Sequence, residues 1–442
     1  MDCDLVNLFM ENSTDTSNQK EINLEINEEL GSEFPNHKIS IKNTFAALQF
    51  RNYRLWFSGQ LVSLFGSWMQ STAYGYFIFE LTHSPAFLGY VGFASGIPAW
   101  ILTFYGGVIA DRYPRRTILM ITQSWMMLLA FILSALTFTG VVQPWHLILI
   151  SFFNGIGNAF DSTARHAFAR ELVDKKYLTN AIALNSTMFN TATAVGPAIA
   201  GITYAILGPA WCFLINGISF IAVLYNLWRI KIEEQLVTNS RSSVISEVKA
   251  GFKYLILNKD LVTIILITSL LSFFGMGLVT LFPAWAVNIL HGDSITNGYL
   301  QSARGLGAVI FALIIAAVNH VIIRGKYLTY TMAILPLLLF AFSFNRSFVI
   351  SISLLILIGG ILISMFNLSN GLIQTIVDEE FRGRILSFYS FSFFALYPIG
   401  SLWIGMLAEH FTSPVAVLIN SVLLGIGYYL VKLYHPKLKM IK

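Results

Sequence analysis

The residues able to do chemistry are few in this sequence, and they are not spaced for bond-making. The eight histidines (His37, His83, His146, His166, His291, His320, His410 and His435) are scattered, and none stands three or four residues from another as a helical metal pair requires. There is no Gly-x-Ser-x-Gly, and the one Gly-Lys pair, Gly325-Lys326, is followed by Tyr327 instead of the Ser or Thr of a P-loop. Cys3, in a polar tail, and Cys212, beside Trp211, give neither a disulfide framework nor a metal-ligand spacing. Neither an enzyme nor a cofactor site is expected, and ATP hydrolysis within the chain is disfavoured. What remains is a set of polar residues embedded in apolar runs: Gln60, Ser67, Gln70, Tyr74, Asn154, Asn158, Asn190, Arg304, Asn367 and Asn370. In hydrocarbon such groups need a cavity or a partner. Their chemistry is therefore recognition of a small polar molecule. Gln60, Ser67 and Gln70 follow one another at seven and three residues, and Asn154, Asn158 and Asp161 at four and three, so each set shares a helical face. Arg304 is the one base within a span and has no evident acid partner; it either contacts an anionic substrate or snorkels to an interface.

The elements that position these residues are membrane helices. Of 442 residues, 55% are hydrophobic and 12% charged, and the mean hydropathy is +0.66, far too apolar for a soluble globular chain. Twelve apolar runs of membrane-crossing length can be counted, six between about 55 and 228 and six between about 261 and 433. Before them, residues 1–45 are polar and acid-rich, with too little apolar surface to fold alone, and read as a disordered cytoplasmic tail. The divisions expected are that tail, an N-terminal six-helix bundle over 46–228, a mixed-charge cytoplasmic loop over 229–260, a C-terminal bundle over 261–434 and a short cytoplasmic tail over 435–442. The start has no basic n-region or early apolar run, so a cleaved signal peptide is not expected and the first membrane helix would direct insertion.

Orientation follows from the bases. Lys42, Arg51, Arg54, the turn at Arg112 to Arg116, the 229–260 loop, Arg324, Lys326, Arg382, Arg384 and the Lys-rich C-terminus fall on one side; Arg346 alone lies in an opposite-side loop. The positive-inside rule then places both termini in the cytoplasm. The net charge of +5 sits in short gaps between spans, which is a topology signal and not a nucleic-acid face.

The halves match each other under one offset. A shift of 204 positions pairs Gly155 with Gly359, Gly196 with Gly400, Gly201 with Gly405, and Leu214-Ile215-Asn216 with Leu418-Ile419-Asn420. Two parallel six-helix repeats, with a substrate site where they meet near the midplane, follow from this.

The best-specified stretch, Gly107-x-x-x-Asp111-Arg112-x-x-Arg115-Arg116, resembles the signature turn between the second and third helices of the major facilitator superfamily. Gly66-Ser67-Trp68-Met69-Gln70, Asn158-Ala159-Phe160-Asp161, Gly196-Pro197-Ala198-Ile199-Ala200-Gly201 and Phe381-Arg382-Gly383-Arg384 narrow the resemblance to a bacterial exporter branch that includes enterobactin-type siderophore exporters and macrolide efflux proteins. The resemblance implies an all-α integral membrane protein of twelve transmembrane helices in two six-helix pseudo-repeats, the major facilitator fold. It further implies that Asp111 latches onto the N-terminus of the eleventh helix near Arg384, that Arg115 or Arg116 reaches Asp161, and that Gly196-Pro197-x-x-x-Gly201 marks an exporter. By residue chemistry alone, Gly196-Pro197 interrupts its helix, because proline removes a backbone donor. Two departures stand out: relatives in this branch carry basic residues where this chain has Ser71 and Thr193, which leaves the charge preference for substrate open. A shift near 210 puts Val321 in the place of Asp111, so only the first half keeps the latch.

The expected function is a secondary active transporter in a bacterial inner membrane. It would export a small organic molecule (a siderophore, drug or related metabolite) by alternating access and proton antiport, as a monomer whose other partners are protons and the lipid bilayer, with no nucleic acid. An importer or lipid flippase on the same fold, or a membrane sensor or scaffold, are the alternatives.

Overall fold

In a bilayer every backbone N–H must be satisfied within its own segment, so apolar runs of this length fold as helices. The structure, a computed structural model, describes residues 45–231, 244–318 and 324–440. They form α1 (Arg51–Thr82), α2 (Pro85–Arg112), α3 (Arg115–Phe138), α4 (Pro144–Glu171), α5 (Leu178–Leu207), α6 (Pro209–Arg229) and a shorter α7 (Val244–Leu257). These are followed by α8 (Lys259–Asn288), α9 (Ser294–Val318), α10 (Arg324–Phe344), α11 (Phe348–Ile376), α12 (Arg382–His410) and α13 (Ser413–Tyr434). Twelve of the thirteen are long. Among the described residues, eight helices (α3, α6 and α8 to α13) are both long and apolar enough to cross a membrane by length and composition; α1, α4 and α5 are as long but fall short of that apolarity, and much of the C-terminal half of α2 lies outside the residues whose side chains are described. The tail expected over 1–45 lies outside the described residues but for its last residue.

The expected 229–260 loop is part helix. It contains α7, which docks on the base of the second half: Tyr254 stacks on Phe381 at 4.3 Å between centroids and donates to Asp378 Oδ2 at 3.0 Å. Gly251, one turn before, lies against Arg384. The spacing Gly251, Tyr254, Leu255 supplies the docking face, short enough to be overlooked beside the membrane runs. Residues 232–243 lie outside the described ones.

The repeat is visible in the packing. α2 packs on α4 as α9 does on α11, α3 on α6 as α10 on α13, and α1 on α5 as α8 on α12. The turn after α1 and the turn after α8 each hold a histidine in the left-handed region, His83 at φ 50° and His291 at φ 52°. Residues 255–438 supply one core, and two further cores are built from residues 47–230, with Ala284 joining one of them.

Two seams join the halves, α2 with α12 and α5 with α9. Both depend on glycine. A Cβ on Gly201 would stand 2.5 Å from the Ser294 carbonyl oxygen, and one on Gly405, its counterpart, 2.7 Å from that of Pro85. Hydrogen bonds from Ser294 Oγ to the Gly201 carbonyl at 3.1 Å, and from Ser84 Oγ (2.7 Å) and the Ala86 N–H (3.1 Å) to Glu409 Oε2, reinforce this end. Glu409 thereby meets the first turn of α2, where a carboxylate is favoured by the helix dipole.

Gly196-Pro197 does not interrupt its helix, contrary to the sequence expectation. α5 runs unbroken through it. The carbonyl that Pro197 leaves without a donor, that of Thr193, is turned to Gly305 of α9, close enough that a Cβ there would lie 2.5 Å away. Close helix packing takes up the group that proline frees. The irregular helix is instead α8, which passes through a π segment over Leu271–Gly275 and a 3-10 segment over Met276–Leu281.

Candidate functional site

Where the halves meet, a cavity of about 360 Å³ is lined from both sides. α1 contributes Ser67, Gln70, Ser71 and Tyr74; α2 contributes Ser95; α4 contributes Ser151, Asn154 and Asn158; α8 contributes Val279, Thr280 and Pro283; α9 contributes Gln301; and α12 contributes Tyr397. Among the described lining residues none is an acid or a base. Their chemistry is that of hydroxyls, amides and aromatic and apolar carbon, a composition common to small-molecule sites.

The side chains on the first half are already bonded among themselves. Asn216 Nδ2 donates to Gln70 Oε1 at 2.8 Å, Ser151 Oγ donates to the Tyr74 hydroxyl at 3.2 Å, and Asn158 Nδ2 donates to the Asn154 carbonyl at 3.1 Å. One bond joins the halves at the cavity residue Gln301: Thr72 Oγ1 donates to Gln301 Oε1 at 3.4 Å. The hydrogen bonds between described residues of the two halves thus lie at the Ser84–Glu409 end or midway along the helices.

Of the expected recognition residues, Ser67, Gln70, Tyr74, Asn154 and Asn158 are brought together here. Gln60 is not. It is fully buried two turns from Ser67, with its amide nitrogen unpartnered among the described residues. Asn190 does not line the cavity either, and Asn367 and Asn370 belong to a separate pocket of about 270 Å³ with Arg324 and Gly371. Helical-face spacing alone could not divide these, because a face can look onto a neighbour, onto lipid or onto the cavity. Thr280, Pro283, Gln301 and Tyr397 were missed by sequence reading. For Thr280 and Pro283 the signal was the cluster Gly275, Gly277 and Pro283 on α8, which marks irregular backbone, tolerated at membrane depth where it lines a cavity or is buried in protein; Gln301 and Tyr397, on α9 and α12, carried no such signal.

Asp161 shares the Asn154 and Asn158 stretch but turns away from the cavity. It is completely buried, ion-paired with Arg165, and its Oδ1 accepts from Gln123 Nε2 at 2.7 Å and Thr122 Oγ1 at 3.1 Å. This corrects the expected pairing with Arg115 or Arg116. Arg115 pairs with Glu171, and Arg116 donates to the carbonyls of Leu227 (2.8 Å) and Trp228 (2.9 Å). The reason is depth: Glu171 and Asp161 are ten residues apart on α4, about 15 Å of rise, and the turn meets only the outer of the two. Arg382 lies 3.7 Å from Glu379, and the Arg384 guanidinium sits over the Phe381 ring at 5.3 Å. The side chains of Gly107, Asp111 and Arg112 lie outside the described residues, and the Asp111 latch with them.

Comparison with known proteins places this geometry. The transmembrane secretion effector family matches residues 42–440. The chain is similar to the staphyloferrin A transporter of Staphylococcus aureus, with 28% identity over 366 residues, covering 81% of this chain and 90% of that protein. It is also similar to macrolide efflux protein A of Streptococcus pyogenes (23% over 370 residues, covering 81% and 89%) and to the enterobactin exporter EntS of Citrobacter koseri (24% over 369 residues, covering 82% and 86%). Among solved structures, a D-xylose–proton symporter superposes with a TM-score of 0.71 at 13% identity over 88% of this chain and 99% of the other. A bacterial homologue of the lysosomal transporter Spinster, inward-facing and unoccupied, gives 0.68 at 13% over 90% and 99%. Those two likenesses speak to the fold, an all-α membrane architecture of the major facilitator type. With a family match across nearly its whole length, the chain belongs to the transmembrane secretion effector family of the major facilitator superfamily.

Proposed function

We propose that the chain is a secondary active exporter, moving a small organic molecule out of the bacterial cytoplasm by alternating access in exchange for protons. The observation that carries this reading is the polar, uncharged cavity between the halves, held tight at the Ser84–Glu409 end. In this reading that end faces outward, and the cavity is reached from the side of the basic turns, which the positive-inside rule assigns to the cytoplasm. Efflux is supported by the names of two relatives, and a small organic cargo by all three. Residues 46–228 and 261–434 act as the two rocking units and a single chain suffices, since both walls of the cavity come from it.

Within that scheme Gly107, Asp111, Arg112, Arg382 and Arg384 form the inner gate. Arg115 and Arg116 tie α3 to α4 and α6. Gly196, Pro197 and Gly201 form the seam with α9. Asp161 is the acid to examine for proton coupling, and its four-membered network means that losing its charge would free Arg165.

The test uses inverted vesicles from cells expressing the full chain, an imposed pH gradient with acid inside, and three probes: radiolabelled erythromycin, rhodamine 6G and carboxyfluorescein. Export predicts gradient-dependent accumulation of at least one probe that ends when nigericin and valinomycin collapse the gradient. Depletion would indicate import, and no movement of any probe would contradict the carrier reading. Asp111→Asn is expected to cut accumulation with insertion intact; unchanged accumulation would remove the latch.

A further inference from the structure

The strongest unabsorbed feature is Arg304. It is the eleventh residue of a 25-residue helix, Ser294–Val318, so about 15 Å of helix separates it from the nearer end, beyond what an arginine side chain spans by snorkelling. Its Nε is buried and unpartnered, and among the described residues it joins no ion pair. One turn along the same face is Gln301, a cavity residue.

The internal repeat gives an independent bearing. A Cβ on Gly155 would meet the Ser95 carbonyl oxygen at 2.2 Å, and one on its counterpart Gly359 would meet that of Arg304 at 2.0 Å. Ser95 and Arg304 are therefore equivalent positions on equivalent helices, and Ser95 lines the cavity. Arg304 is not itself among the described lining, but its equivalence to Ser95 and its place one turn from Gln301 set it beside that cavity, whose described lining carries no charge.

An unpaired guanidinium at membrane depth is costly and calls for an anion. We infer that Arg304 is the recognition cation of this carrier and that its cargo bears an anionic group, a carboxylate or phosphate, which the guanidinium fork binds. The inference rests on the exporter reading and narrows its substrate class. A carboxylate or phosphate oxygen pair matches two N–H donors of the fork, and the neutral amides and hydroxyls of the first half take the rest of the molecule.

The test compares dyes with one xanthene scaffold and opposite charge, anionic carboxyfluorescein and cationic rhodamine 6G, in inverted vesicles holding wild type, Arg304→Gln or Arg304→Lys. NBD-labelled phosphatidylglycerol in the same vesicles distinguishes a lipid phosphate from a soluble anion. Expression and monodispersity by fluorescence-detected chromatography are matched first, with Arg304→Lys as the folded control if Arg304→Gln fails. The inference predicts that wild type moves carboxyfluorescein or the labelled lipid, that Arg304→Gln reduces this by on the order of tenfold or more, and that Arg304→Lys retains part. Loss confined to the lipid probe assigns the anion to a headgroup. Transport of rhodamine 6G alone by wild type, or an anion rate unchanged in Arg304→Gln, would overturn the anionic cargo while leaving the carrier standing; no transport of any probe by wild type would overturn both.

Discussion

On the first half, Gln70 is held by the Asn216 amide; at the equivalent place on the second half stands Phe274, and Asn420, the counterpart of Asn216, donates instead to the Phe274 carbonyl at 3.1 Å. Asp161, with Arg165, Thr122 and Gln123 around it, corresponds under the same offset to Met365, a fully buried core residue. Equivalent helices thus carry internally bonded polar residues on one side and, on the other, apolar counterparts beside the cavity residues Thr280, Gln301 and Tyr397 and, among the described residues, the unpaired Arg304. A pre-bonded wall keeps its geometry without ligand, whereas a wall with one free charge changes its energy most when ligand arrives. On the proposed reading the first half is the template, and the second half is the one that registers the cargo.

The comparison can be broken most severely where the halves are alike. Gly201→Leu and Gly405→Leu should each lower vesicle transport on the order of a hundredfold, corresponding to about 3 kcal/mol of overpacking against a backbone carbonyl; a large loss from one and none from the other would show that the seams are not equivalent. Where the halves differ, Asp161→Asn should destabilise the protein by about 3 kcal/mol, since it strands a partly buried arginine, while Met365→Leu should cost less than about 1.5 kcal/mol. Thermal unfolding in detergent reads both, and Asp161→Asn combined with Arg165→Gln should recover most of the loss. Asn216→Leu should cost about 2 kcal/mol by leaving Gln70 unsatisfied. The smallest effect belongs to Thr72→Val, which removes one long bond between the halves; a change of about 0.5 kcal/mol, seen as less than a threefold shift in transport, is expected.

Much of this was legible in the sequence, for reasons that differ by element. The twelve long helices and the repeat followed from apolar run length and from paired glycines such as Gly201 and Gly405, because close backbone approach leaves little choice of residue. Ser67, Gln70, Tyr74, Asn154 and Asn158 were legible as cavity residues because a polar group in hydrocarbon has few other places to be. Asn367 and Asn370 meet the same need in a separate pocket and Asn190 stands outside both, and spacing could not separate the cases. The Arg115–Glu171 pair was misassigned to Asp161 because sequence gives order along α4 and not depth against α3. The cavity face of α8 was missed because its π and 3-10 turns break the helical period on which the reading relied.

The central claim, a cargo cavity between the halves reached from the cytoplasmic side and sealed at the Ser84–Glu409 end, is tested most directly by labelling. Ser71→Cys, in a Cys3→Ser background where the remaining Cys212 is buried, is treated with a membrane-impermeant maleimide in inverted and right-side-out vesicles. The account predicts rapid labelling in inverted vesicles, slow labelling in right-side-out ones, and faster outside labelling when Glu409→Gln weakens the seal. Labelling from the outside only, or at equal rates from both sides without that substitution, would contradict it.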